Sequence, residues 1–323
     1  MPPRRALIAI PILAALCAAG CRRAAPTAPG REVVDGLGHR IVLPAVPRRV
    51  VSLAPGVTGS LLALGFGDRL VGVSDFCRLP AGMAPVRRVG GMLNPSLETI
   101  SALRPDLLIA TTSGNDPNLA GQTAALGLPL YTLHTPDIER ALRSLADLAS
   151  VLGDPGRGER LESQLRRRLE AVQERVRGLR PARVLFVVWG EPLLVPGGSS
   201  YLTDALSRAG GLSVTADAPS AWPTFDLESA IARRPEVILA TMQNRALVER
   251  LSRDPAWADV PAVRRGRVHV VSDALQEPGP GIVDGVEEAA RLLHPEAFEK
   301  GGAPAGRPGR APGGRPPGGP EKG

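Results

Sequence analysis

The chain has 323 residues, is 43% hydrophobic and only 3% aromatic, and carries a formal net charge of +7. That length is enough for two ordinary domains with real cores. The charge sits in the ends: five arginines precede residue 32 and residues 299–323 add a net +3, which leaves −1 for 32–298 and excludes a basic folded face for nucleic acid.

In chain order, 1–20 reads as a targeting segment. Arg4 and Arg5 form a positive n-region, and Ala6 to Leu16 is an apolar stretch too short for an ordinary transmembrane helix. It ends in Ala18-Ala19-Gly20-Cys21. Small residues before a cysteine resemble the bacterial lipoprotein signal, which implies cleavage before Cys21 and acylation of its thiol. The mature protein is then exported, periplasmic and membrane-anchored. Residues 21–31 form the lipidated cysteine and a Pro/Ala/Arg-rich tether. With Cys17 removed and Cys21 lipidated, Cys77 stands alone and no intramolecular disulfide is available.

Residues 32–153 alternate strand and helix patterns. A hairpin is expected over 33–43, strands at 49–54, 70–73 and 130–133, and helices at 57–64, 119–126 and 138–152. Residues 154–178 read as one long helix. Asp154 caps it, Pro155 suits its first position, and Gly178 stops it. Leu161, Leu165, Leu169, Val172 and Val176 make an apolar stripe of helical period. The Arg- and Glu-rich remainder reads as a solvated face. Residues 179–298 repeat the alternation, with strands at 183–188, 237–240 and 268–272 and helices at 202–209, 246–251 and 283–293. Trp257 reads as packing. Residues 299–323 are Gly/Pro-rich without apolar periodicity and read as disordered. The fold class is α/β: two similar lobes with mostly parallel sheets, joined by one long backbone helix.

One stretch occurs twice. Leu97-Glu98-Thr99-Ile100 runs through Arg104-Pro105-Asp106 to Ala110, and Leu227-Glu228-Ser229-Ala230 runs through Arg234-Pro235-Glu236 to Ala240. Each copy reads as a short helix, a proline break and a buried strand. Asn94 or Ser96 would cap the first helix and Asp226 the second. On position alone, Glu98 and Glu228 either complement the helix dipole or do something further.

Three blocks then carry a resemblance: RRVVSLAPGVT at 48–58, VGGMLNPSLETISALRPDLLIA at 89–110 and AWPTFDLESAIARRPEVILA at 221–240, with AVRRGRVHVV and GPGIVDGVEEAARLLHPE near the end. Together they resemble the helical-backbone substrate-binding proteins of ABC importers for cobalamin, haem and ferric siderophores. The Trp-Pro pair and the closing HPE are most similar to the cobalamin branch. The resemblance implies a monomer that holds a corrinoid between its lobes, and a permease dimer that docks through Glu98 and Glu228. Trp222 matches the cobalamin-side aromatic. Trp189, Phe76 and Tyr201, on loops facing the cleft, are further ligand candidates, each weighed against core packing.

Other chemistries have less to stand on. His39, His134, His269 and His294 lack metal-ligand spacing, so no metal and no resident cofactor are expected. Haem held by His134 or Tyr131 is the alternative cargo, together with ferric siderophores met by Arg78, Arg87, Arg88 or Arg245. Gly197-Gly198-Ser199-Ser200 is superficially a nucleophile loop but lacks the elbow pattern. No Walker A motif is present. An exported α/β enzyme of unknown type is the reading from a different class.

Overall fold

A computed structural model describes residues 30–251 and 253–299. The expectations for the targeting segment, Cys21 and nearly all of the tether and tail lie outside these residues. The N-terminal lobe opens with a hairpin, β1 (Arg31–Val34) paired antiparallel with β2 (Arg40–Leu43). Its turn is organised by Asp35, whose carboxylate accepts the amides of Leu37 and His39 and, at 3.3 Å, that of Thr132. There follow β3 (Val50–Ser52), α1 (Pro55–Ala63), β4 (Leu70–Val73), β5 (Arg87–Arg88), α2 (Leu97–Ala102), β6 (Leu107–Thr111), α3 (Leu119–Ala125) and β7 (Leu130–Leu133). These strands form one parallel sheet in the order β5-β4-β3-β6-β7. Pro55 and Gly56, left between the expected strand at 49–54 and helix at 57–64, are the first two residues of α1. Proline suits a helix start because it has no N–H to leave unpaired.

Next come α4 (Ile138–Val151), capped by Asp137, and α5 (Pro155–Val176), capped by Asp154, as the cap–proline–stripe pattern required. The two helices pack closely: a Cβ on Gly158 would lie 2.5 Å from the Ala146 Cα. Ile138, Leu142 and Leu145 at one end of α4, with the α5 stripe from Leu165 to Val176, join the C-terminal core. Leu148, Ala149 and Val151 at the other end join the N-terminal core, and Leu161 packs against both. The charged faces of α5 are not simply solvated. Arg157 donates to the Leu64 and Gly65 carbonyls, Arg166 pairs with Glu139 and Glu162, and Arg168 pairs with Asp284 and Glu287.

The C-terminal lobe contains β8 (Ala182–Val187), β9 (Leu193–Leu194), α6 (Tyr201–Arg208), β10 (Gly211–Ser213), β11 (Thr224–Phe225), α7 (Leu227–Ala232), β12 (Val237–Thr241), α8 (Arg245–Leu251), α9 (Pro261–Arg264), β13 (Val268–Val271) and α10 (Ile282–Leu293). The sheet is parallel in the order β10-β8-β12-β13, and β9 with β11 forms a small antiparallel pair. Trp257 is buried in this lobe's core, as its packing role required, and His294 is buried as well.

The sequence repeat is a structural repeat. Ser96 caps α2 and Asp226 caps α7, and β6 and β12 are buried at every position. Each helix is followed, two residues past its end, by the arginine before proline, Arg104 at φ 46° and Arg234 at φ 47°. Proline does push these residues out of the right-handed region, but into the left-handed one rather than into an extended conformation. The correspondence goes beyond the repeated stretch. Asp106 accepts the Arg49 amide and Glu236 the Arg183 amide, while the two guanidinium groups reach back to the carbonyls of Leu103 and Arg233.

Candidate functional site

Four aromatic side chains from the two lobes meet over one cavity of about 710 Å3. Phe76 and the 91–94 loop supply one wall, and Trp189, Tyr201 and Trp222 the other. All four sequence candidates are therefore brought together. Phe76 and Trp189 are exposed at the rim, at 63% and 51%, whereas Tyr201 is 4% exposed. Trp222 reconciles the two roles weighed for it. It packs against the C-terminal core and meets Tyr201 edge-on, with ring centroids 5.6 Å apart at 72°, while its remaining surface lines the cavity.

Each aromatic is held by its loop. The Phe76 loop is tied down beneath by Cys77, whose buried sulfur accepts from Thr58 at 3.0 Å, and by Arg88, which donates to the Ser74 and Cys77 carbonyls. Trp189 sits on a tight turn closed by backbone hydrogen bonds with Leu194. Tyr201 begins α6 and donates its hydroxyl to the Gln276 carbonyl. The Trp222 loop lies across Gly197 and Gly198. A Cβ at Gly197 would fall 1.9 Å from the Ser220 oxygen, and one at Gly198 2.5 Å from the Ala216 oxygen. The Gly-Gly-Ser-Ser stretch is therefore a seat for this loop: Ser199 donates to the Pro219 carbonyl and Ser200 caps α6.

Sequence reasoning missed Met92, Asn115 and Gln276 as lining residues. Asn115 carries the arrangement, since its amide donates to the carbonyls of Leu53 and Met92 and fixes the 91–94 loop against β3. Among the described residues, none that lines this cavity is charged and none is histidine.

A smaller chamber of about 220 Å3 adjoins it through Phe76, Met92, Ser113 and Gln276. Its character is different. It adds Arg78, Asp273 and Glu277, and Arg78 of the N-terminal lobe pairs with Asp273 of the C-terminal lobe across the floor. That pair holds the Arg78 guanidinium above its ordinary range, and burial pushes the Glu277 carboxyl up. At this floor the lobes also touch backbone to backbone, Gly56 against Pro278 and Gly279.

The remaining candidates lie elsewhere. Tyr131 is buried in the N-terminal core, where burial raises its pKa to about 12, and His134 is exposed with its ring beside Thr112. Neither lines the cavities. Arg88 is spent on loop carbonyls, Arg87 is exposed on the edge strand β5, and Arg245 contacts the Met242 sulfur. Glu98 and Glu228 are exposed in the first turns of α2 and α7, and among the described residues neither forms an ion pair.

A two-lobed α/β chain with an aromatic cleft is matched over residues 50–275 by the family model for periplasmic binding proteins. The chain belongs to that family. It is 27% identical over 245 residues to the vitamin B12-binding protein of Vibrio parahaemolyticus, covering 74% of this chain and 87% of that one. The solved periplasmic vitamin B12-binding protein of Vibrio cholerae superposes with a TM-score of 0.69 at 25% identity, covering 79% and 99%. The periplasmic haem-binding protein of Roseiflexus sp. RS-1 superposes with a TM-score of 0.70 at 27% identity, covering 77% and 99%. Membership agrees with the helical-backbone class expected from the sequence blocks, and these relatives are binding proteins of the periplasm.

Proposed function

We propose that this periplasmic binding protein captures cobalamin or a related corrinoid between its lobes and delivers it to an ABC permease, without catalysing a reaction. The uncharged, aromatic-lined cavity of about 710 Å3 carries the reading. Such a surface suits a large macrocycle with amide arms, which brings its own axial ligands and needs flat apolar contact with scattered polar groups. The relatives named for vitamin B12 support the same cargo.

Haem is the second reading, favoured by the haem-binding neighbour at 27% identity. It fits less well. A haem iron usually takes a protein axial ligand, yet the cavity offers no histidine, and the Tyr201 hydroxyl is committed to the Gln276 carbonyl. A ferric siderophore, commonly anionic, would meet Arg78 as the one cation among the described lining residues, and it is already paired.

For delivery, Glu98 and Glu228 present matching carboxylates from repeated helices, one on each lobe. A two-fold symmetric membrane partner with basic groups would meet both, and such charges chiefly orient docking. Cys21 supplies the lipid anchor, and the protein acts as a monomer.

The test is titration of the chain with cyanocobalamin, cobinamide, haem and a ferric siderophore, followed by tryptophan fluorescence and thermal unfolding. A cargo that binds only the folded state raises stability by about 2.7 kcal/mol at roughly a hundredfold excess over its Kd. A response to corrinoids supports the reading, and a response to haem alone overturns the cargo. Reversing the charge of both Glu98 and Glu228 is expected to abolish uptake in cells while leaving cargo affinity intact. Loss of binding in that variant would defeat the docking role.

A further inference from the structure

The small chamber at the cleft floor holds a carboxylate with no assigned task. Glu277 lines it and is half-buried, and among the described residues its side chain has neither a hydrogen bond nor an ion pair. Asp273 beside it is engaged with Arg78, the one cation among the described residues that line either chamber. With that cation neutralised, the charged end of the cleft carries one unmatched negative charge, at Glu277. The adjoining cavity offers nothing to compensate a second one.

We infer that Glu277 is a specificity determinant that rejects carboxylate-bearing macrocycles and admits those whose peripheral arms are neutral. This rests on the reading that the cleft holds the cargo, and it adds which chemical form of cargo is accepted. A half-buried carboxylate without a partner costs the protein desolvation. It discriminates because a ligand carboxylate placed nearby would add repulsion, whereas an amide N–H would supply the hydrogen bond that Glu277 lacks. Rejection built into a site in this way separates competitors that attractive contacts alone cannot. Two like charges about 6 Å apart at an effective dielectric near 20 repel by an amount worth on the order of a hundredfold in affinity, which salt then reduces. The Arg78–Asp273 pair is part of the device: were Arg78 free, it would offset Glu277.

The full chain is titrated with two pairs of probes, each a macrocycle in acid and neutral form: cobyrinic acid against cobinamide, and haem against its dimethyl ester. In any pair that binds, the neutral form is expected to be preferred about tenfold or more. Glu277→Gln is expected to shrink the preference roughly tenfold, and Asp273→Asn, which releases Arg78, to shrink it as well. Raising salt from about 0.05 to 0.5 M should shrink it in the unaltered protein. Equal affinity for acid and neutral forms overturns the inference, as does a preference that survives both substitutions. A preference confined to the haem pair upholds the filter and overturns the corrinoid cargo. Failure of every probe to bind overturns both.

Discussion

Two glycines in α1 give the sharpest test of how the lobes meet. Gly56 and Gly59 lie three residues apart in the same helix. A Cβ at Gly59 has nothing within 4 Å, so Gly59→Ala changes little but helix propensity and is expected to stabilise by about 0.5–1 kcal/mol. A Cβ at Gly56 would lie 2.6 Å from the Pro278 carbonyl oxygen and 3.1 Å from its carbon. Those atoms are backbone of the other lobe, so no side-chain rotation relieves the contact. Pro278 must retreat by roughly half an ångström, at a cost of about 1–3 kcal/mol. The same substitution three residues apart is therefore expected to have opposite signs. At about 2–4 °C per kcal/mol for a chain of this size, the two variants should melt roughly 3–16 °C apart, with the parent between them. Thermal unfolding followed by circular dichroism reads this directly. A Gly56→Ala variant that melts at or above the parent would refute the close backbone contact, and with it the geometry of the cleft floor.

Trp222→Ala removes both a cavity wall and the edge-on partner of Tyr201, and is expected to weaken corrinoid binding by about 1–3 kcal/mol in a fluorescence or calorimetric titration. Tyr201→Phe, which loses only the hydrogen bond to the Gln276 carbonyl, should cost stability more than affinity. Two glutamates should respond to pH with opposite signs. The hydrogen bond from Arg166 holds the Glu139 carboxyl below its ordinary 4.5, with Arg208 adding to the shift. Glu139→Gln is therefore expected to destabilise at pH 7, with the difference vanishing as pH falls through that lowered value. Burial holds Glu277 above 4.5, against the attraction of Arg78 and with the repulsion of Asp273. The ionised form there detracts from stability, so Glu277→Gln should stabilise at pH 7 and lose that advantage once pH drops below the ordinary value. Urea unfolding across pH 3–8 (roughly the carboxylate range and above) measures both.

Much of the architecture was legible because it is written locally. The α5 helix carries its own cap, first-position proline and apolar stripe, and the repeated Leu-Glu to Pro to Ala stretch announced two matching lobes. The aromatic half of the cleft could be read too, since Trp and Tyr are scarce here and fall at the ends of strands or the starts of helices. What escaped notice depends on distant partners. The two-residue strands β5, β9 and β11 are too short to show alternation and exist only through pairing with segments elsewhere in the chain. Gln276 and Asn115 have ordinary sequence surroundings, and their roles come from contacts across 75 and 62 residues. Arg166 and Arg168 looked solvated because Glu139 on α4, and Asp284 and Glu287 on α10, lie far from them in sequence. Glu277 is conspicuous for having no hydrogen-bond or ion-pair partner among the described residues, which no sequence pattern can report.

The α4–α5 hairpin lends side chains to both hydrophobic cores, with Leu161 wedged against each. Neither sheet can then melt while the other stays intact, because losing one core uncovers helix surface that the other needs. The chain should unfold in a single cooperative step, with coincident fluorescence and circular dichroism transitions, despite having two sheets. Cutting the gene after residue 153 would yield two fragments that fold only when mixed. Two lobes built on one repeated helix-strand unit are thus halves that cannot stand apart.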